Sequence, residues 1–296
     1  CRPGPMASDW DPYQNIPTTT KRATEFILSR SPDAPNSKAQ PWFLYFAFPS
    51  PHAPIIPNDQ FDGKSKAGPY GDFVHETDHA CGQILKALKA SGQAESTLVV
   101  FTADNGPEKY AYARDQKFDH WSSQPLRGLK RDIYEGGHHV PFIVRWPGEV
   151  PAGKSSPALV SQIDLFATIA EIVGFKLPDK AAEDSHNQLP LLTGELTAPP
   201  IRTTHIHNTK ANHYAIRHGD WLLVDGRTGY VSGRNAQWEG KHGYQADKEE
   251  AQLFNLKEDL GQRHNLIAKH PGKAKELRSL LKKIREQGYS APRLAK

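Results

Sequence analysis

Cysteine is nearly absent: Cys1 and Cys81 are the only two in 296 residues. Two thiols cannot build the disulfide framework of a small secreted scaffold, and no Cys/His spacing here matches a zinc site, so redox compartment stays open. Long apolar runs are missing too. None approaches the roughly 20 residues that a bilayer-spanning helix needs, and Cys1-Arg2-Pro3-Gly4-Pro5 is no signal peptide. A strong charge imbalance is also lacking, with 37 Lys and Arg against 33 Asp and Glu for a formal +4. Much of the surplus lies in the tail, at Lys269, Lys273, Lys275, Arg278, Lys282, Lys283 and Arg285. Aromatics are not interleaved with it, which fits a solvated helix face and argues against nucleic-acid binding.

What remains is a globular composition. At 37% hydrophobic the chain can bury a real core, and 23 Gly and 24 Pro spread between apolar runs point to a loop-rich α/β protein. Ala23, Phe26 and Ile27 give the segment Thr20 to Arg30 one apolar face, predicting a first helix. Trp42 to Phe48 is unbroken apolar and aromatic, predicting a central strand covered on both faces. Phe73, Val74, Thr77, Cys81, Ile84, Leu85 and Leu88 recur at helical spacing between Tyr70 and Ala90, which places Cys81 on a buried face. Thr97 to Thr102 and Pro141 to Trp146 predict two further buried strands, and Asp164 to Val173 a helix closed by Gly174. Residues 175 to 204 read as polar loop. Tyr214 to Arg217, Trp221 to Val224 and Gln252 to Leu256 then predict a small antiparallel sheet, on which a helix from Lys273 to Gln287 packs through Leu277, Leu280, Leu281 and Ile284. The order predicts a mostly parallel sheet with flanking helices over residues 1–200 and a smaller α+β subdomain over 201–296.

Ligands of α/β sheets bind beyond the carboxyl ends of strands, so the loops after the apolar runs matter most. The first is Ser50-Pro51-His52-Ala53-Pro54, the second Ala103-Asp104-Asn105-Gly106-Pro107-Glu108. Between the second and third strands lies the stretch from Arg127 to Pro141, with Lys130, Glu135, His138 and His139. Taken singly each has an ordinary structural explanation: a rigid proline turn, an Asx turn, a solvated lysine. Each also has a chemical one. His52 between prolines suits a fixed general acid, Asp104 and Asn105 are hard oxygen donors for calcium or magnesium, and Lys130 suits an anionic leaving group or oxyanion. Their order on three strand ends is what favours chemistry.

That order resembles the arylsulfatase-type sulfatase family, of the alkaline-phosphatase-like superfamily. Lys130-x-x-x-Tyr134-Glu135-Gly136-Gly137 followed by Val140-Pro141-Phe142-Ile143-Val144-Arg145-Trp146-Pro147, with Pro51-His52-Ala53-Pro54 and Thr102-Ala103-Asp104-Asn105-Gly106 before it, is similar to the family's second half. So are Asp164 to Ile169, Leu189 to Gly194, Ala215 to Trp221 and Leu253 to Asp259, so that the likeness runs from about residue 40 to the end. It implies a hydrolase of sulfate monoesters, with a sulfated small molecule or carbohydrate as substrate. Asp104 and Asn105 would be two ligands of one Ca2+, His52 and Lys130 would be catalytic, and His138 would contact substrate. An arginine is more usual where His139 stands.

The family's nucleophile is a formylglycine hydrate made by a maturation enzyme from the cysteine of a Cys-x-Pro-x-Arg motif, and an Asp-Asp pair supplies two more metal carboxylates. Neither occurs in these 296 residues: no Asp-Asp dipeptide is present, and Cys1-Arg2-Pro3-Gly4-Pro5 has proline where the motif needs arginine. The chain is therefore expected to be the C-terminal part of a sulfatase, from a truncated gene product or an assembly fragment. Alone it would be inactive, a weak calcium binder, and prone to aggregate through an uncovered sheet edge. Family habit favours a periplasmic or secreted location. Two other readings stay open: a phosphomonoesterase or phosphodiesterase of the same superfamily, which usually carries histidine where Asn105 stands, and a non-catalytic anion-binding module.

Overall fold

The computed structural model describes residue 5 and residues 7–34, 40–194, 199–244 and 248–292. Cys1 and the partial motif around it lie outside the described residues. The chain forms two compact units, Cys1–Val99 with Ala113–Trp121 and Trp146–Gly148, and Val100–Tyr112 with Ser122–Arg145 and Glu149–Lys296.

The first unit is built on two helices, α1 (Asn15–Ser29) and α2 (Pro69–Ala90). Ile16, Phe73 and Ala80 form one apolar cluster with Phe48, Ile55 and Ile56, and Ile27, Ala87 and Leu88 a second with Trp42, Leu44 and Val99. Burial of a Leu- or Phe-sized side chain is worth about 1.5–3 kcal/mol, so these clusters, rather than helix propensity, hold the pair. Trp42 to Phe48 departs from expectation: it is extended but lies in no sheet among the described residues. Its side chains alternate, with Trp42, Leu44 and Phe48 packed inward and Phe43 and Tyr45 71% and 79% exposed. An all-apolar run hides the period of two that its burial displays. Cys81 on α2 is only half-buried, and burial followed by the nearby Asp78 pushes its thiol up, away from reactivity.

In the second unit β1 (Val99–Thr102), which begins in the first, neighbours β2 (Phe142–Arg145) in a two-stranded sheet. Helix α3 (Tyr110–Phe118) lies between them in the chain. The two strands were expected to be buried; instead Phe101 and Ile143 are exposed, because a two-stranded ribbon leaves a face open. Next come α4 (Asp164–Ile172) and the short α5 (Leu189–Thr193).

The remainder is a four-stranded antiparallel sheet in the order β3 (Thr204–Lys210), β4 (His213–His218), β5 (Trp221–Val224), β6 (Gln252–Asn255), with α6 (Ala236–Lys241) in the β5–β6 connection and α7 (Pro271–Gln287) after it. Alternation sorts its side chains onto two faces. Ile216, Leu223 and Leu253 meet Ala274, Leu277 and Leu281 of α7. Ala215, Leu222, Val224 and Phe254 instead meet Ile133 and Tyr134. The second face thus anchors the loop that carries Lys130 and His138. Strand β3 is not among the strands predicted from the sequence, since Thr-His-Ile-His-Asn-Thr-Lys has a single large apolar residue. Its partner supplies the order, in a register from Thr204 opposite His218 to His207 opposite Ala215.

Candidate active site

The second unit joins two of the three candidate loops through their backbones. Gly106 N–H donates to Gly137 O at 2.9 Å and Lys130 N–H to Pro107 O at 2.8 Å, while Gly136 N–H reaches back to Arg127 O at 2.7 Å. No side chain fits between them. A Cβ on Gly106 would stand 1.8 Å from Gly136 O, and one on Gly137 2.2 Å from Asp132 O. Asp132 pins the stretch further, its Oδ2 accepting from Leu129 N at 2.9 Å and its Oδ1 from Val231 N and Ser232 N at 2.8 and 2.9 Å. Tyr134 is buried and donates its hydroxyl to Gln252 on β6 at 2.9 Å.

Beneath this lies a buried cation. Arg127 donates to the Tyr230 hydroxyl and to Gln262 O, each at 3.0 Å, sits 3.5 Å from Glu239, and stacks 4.2 Å from the centre of the Tyr134 ring. Such a group is held by full pairing, because a lone buried charge is costly.

Within this frame Asp104 and Lys130 keep their charged groups free: neither side chain makes a hydrogen bond or ion pair with a described residue. Asn105 donates its amide to Gly106 O at 2.9 Å, which leaves its Oδ1 for a ligand. Glu108 is engaged by Arg131 at 2.6 Å; burial acts to raise its carboxyl, and the Arg131 bond with the charges of Arg131 and Lys130 outweighs that and lowers it.

His138 belongs to a cluster that motif reading did not foresee. Glu135, 2% exposed, has His139 Nδ1 at 2.8 Å, His138 Nε2 at 3.5 Å and Arg217 of β4 at 3.9 Å. Burial alone would raise the Glu135 carboxyl; the hydrogen bonds and charges of the two histidines hold it well below the usual carboxylate range. The His138 ring lies 3.8 Å from that of His207, which bonds Ile133 O at 2.9 Å, and the Nδ1 atoms of both rings are buried without a partner. Burial followed by neighbouring cationic groups keeps His205 and His207 neutral, His205 lowered to about 4. The available signal was the spacing of Glu135 to His138 and His139, three and four residues on, which folds the chain back on itself in a short 3-10 turn.

His52 belongs to the first unit. It is exposed, and its Nδ1–H donates to Ala53 O at 2.6 Å, while Nε2 has no hydrogen-bond partner among the described residues.

A sulfatase family model matches residues 3–175, and a model of the N-sulphoglucosamine sulphohydrolase C-terminal region matches residues 129–288. The chain belongs to the sulfatase family. It is 31% identical over 291 residues to an N-acetylgalactosamine-6-O-sulfatase of Bacteroides thetaiotaomicron, covering 95% of this chain and 53% of that protein. It is 36% identical over 208 residues to the human N-acetylgalactosamine-6-sulfatase, covering 67% and 39%. A solved B. thetaiotaomicron chain from work on the metabolism of multiple glycosaminoglycans superposes with a TM-score of 0.77 at 30% identity, over 94% of this chain and 55% of its own. A Pseudoalteromonas sulfatase gives 0.77 at 22% identity, over 96% and 55%. The fold is therefore alkaline-phosphatase-like α/β with a small antiparallel sheet. The chain spans about half the length of its bacterial relative.

For calcium, the donors present have the right chemistry but are too few. Asp104 and Asn105 offer hard oxygens, whereas Ca2+ takes 6–8. Among the described residues no three His, Cys, Asp or Glu side chains are gathered to hold a metal. None of their helices is long and apolar enough to cross a membrane.

Proposed function

We propose that the chain is the C-terminal part of a sulfatase that hydrolyses sulfate monoesters of a carbohydrate, and that it does not turn over alone. The observation that carries this is the backbone-joined pair of loops presenting a free carboxylate at Asp104, an amide oxygen at Asn105 and a free ammonium at Lys130. In this reading residues 1–200 belong to the catalytic domain and 201–296 form a subdomain whose sheet supports the Lys130 loop. Lys130 would neutralise charge on the sulfate oxygens as the S–O bond to the sugar breaks, a role in which a fixed cation lowers the barrier. His52 would give its Nε2 proton to the departing sugar oxygen, and His138 would orient the sugar. Formylglycine, when supplied by the family's N-terminal region, provides the attacking oxygen; Asp104 and Asn105 would complete a calcium site with carboxylates from that region. A maturation enzyme and export from the cytoplasm follow from the same reading.

The names of the relatives favour 6-sulfated N-acetylgalactosamine as the first substrate to try. The test joins the chain to an N-terminal sulfatase region carrying a converted Cys-x-Pro-x-Arg motif and follows sulfate release by ion chromatography. Faster hydrolysis of a phosphate monoester than of any sulfate ester would sink the proposal.

A further inference from the structure

One cavity of about 190 Å³ shares no lining residue with the loops above and lies between the end of α7, the start of β3 and the segment before α5. At its wall stands His186, only 8% exposed, with both ring nitrogens buried and without a hydrogen-bond partner. That is unusual, since a buried polar group left unpaired costs on the order of 1–3 kcal/mol. The neighbours give the cavity a specific chemistry. Leu280 and Ile284 supply an aliphatic strip, Thr203 a hydroxyl, and Gln287 an amide whose nitrogen is already given to Tyr289 O. Lys283 stands exposed at the mouth and forms no ion pair with a described residue. No carboxylate is among the lining residues, the Asp184 carboxylate behind the wall being taken up by Ser290 N and Oγ at 2.8 and 2.6 Å. The nearby Arg202 guanidinium is committed to Asp164 and to the carbonyls of Thr204 and Asp184. Burial, then the Arg202 charge, lowers the His186 imidazole and keeps it neutral, so it offers one donor and one acceptor.

We infer that this cavity is a binding site for an anionic monosaccharide, a single hydroxylated ring carrying one negative group. A cavity of about 150 Å³ admits benzene, so this one holds a six-membered ring with substituents. Hydroxyls both give and accept hydrogen bonds, as the neutral His186 requires; the aliphatic strip covers a ring face; and one unpaired ammonium suits one carboxylate or sulfate better than a doubly charged phosphate. The site lies wholly within the second unit and does not depend on the sulfatase proposal.

The test is saturation-transfer NMR on the whole chain with three probes: glucuronate, neutral glucose, and cyclohexanecarboxylate, which has the charge without the hydroxyls. Glucuronate should bind at least tenfold more tightly than either control. Lys283→Ala, at an exposed position, should remove that preference while leaving the unfolding midpoint unchanged. His186→Gln should weaken glucuronate and glucose alike. An oligosaccharide ending in glucuronate distinguishes the terminal residue of a glycan from a free sugar acid as the natural occupant. No transfer from any probe, with a crystal structure showing only water on the His186 nitrogens, would overturn the inference. So would equal binding of the three probes, unaffected by Lys283→Ala.

Discussion

Asp164→Asn should be among the most destabilising single changes in the second unit. The Asp164 carboxylate, 1% exposed at the first turn of α4, accepts from Ser161 N, His186 N and Gln188 Nε2, each at 2.9 Å, from Arg202 Nε at 3.0 Å, and from Arg202 Nη2. Asparagine keeps the shape but has one acceptor oxygen, so some of these donors lose their partner, and Arg202, itself 1% exposed, becomes a buried charge without a counter-ion. Breaking a buried pair by removing one partner costs about 3–5 kcal/mol, a large share of the roughly 5–15 kcal/mol that holds a domain together. Equilibrium urea unfolding followed by tryptophan fluorescence measures it. The pH dependence adds a second check. Burial opposes ionisation of Asp164, yet the Arg202 bond and the backbone donors win and lower its carboxyl below 3.8. A depressed carboxyl stabilises fully above its unfolded value and loses that contribution as pH falls past it, so the gap between wild type and D164N should be constant above about pH 5 and close below it. A loss under about 1 kcal/mol at pH 7, against the 3–5 expected for a buried pair, would refute the reasoning. So would a gap that widens in acid.

Arg127→Met should cost on the order of 1–3 kcal/mol, because it leaves the buried Tyr230 hydroxyl and Gln262 carbonyl without their donor while Glu239 keeps Arg234 at 2.7 Å; urea midpoints measure it, and no change in midpoint would contradict the assignment. Gly106→Ala forces apart a contact in which the new Cβ would lie 1.8 Å from Gly136 O, and hydrogen exchange should show the Gly106 and Lys130 amides deprotected while those of β4 and β5 stay slow. His205, lowered from 6.5 to about 4 chiefly by burial, favours the folded state only while neutral. Its share, roughly 3 kcal/mol from the size of that shift, should be complete above pH 6.5 and fade toward pH 4, and His205→Gln should flatten the stability profile over that window.

Much of the secondary structure was legible. Helices α2, α4 and α7 and strands β5 and β6 have dense apolar periods, and Gly288, at φ 76°, closes α7 as a left-handed cap. The segments that escaped notice had their signal elsewhere. β3 is ordered by backbone pairing with β4, and its side chains give no alternation to detect. Trp42 to Phe48 misled in the opposite direction, because apolarity at every position cannot say which side chains are covered. In the candidate site, motif order singles out the Asp104 and Lys130 loops as candidates, but what holds those loops together is not written in it. Arg127 meets Tyr230 and Gln262 across 103 and 135 residues, and Glu135 gathers Arg217 from β4. Such pairings are set by tertiary folding and leave no local spacing to read.

The most direct test of the account is the turnover number of the chain joined to an N-terminal region with a converted formylglycine, as wild type and as Lys130→Met, on a sulfated N-acetylgalactosamine. Removing one fixed group that stabilises transition-state charge typically costs about 10²–10³ in kcat. That loss, with an unfolding temperature unchanged within a few degrees and no turnover by the chain alone, is the predicted result. Undiminished kcat in the variant, or turnover by the isolated chain, would contradict it.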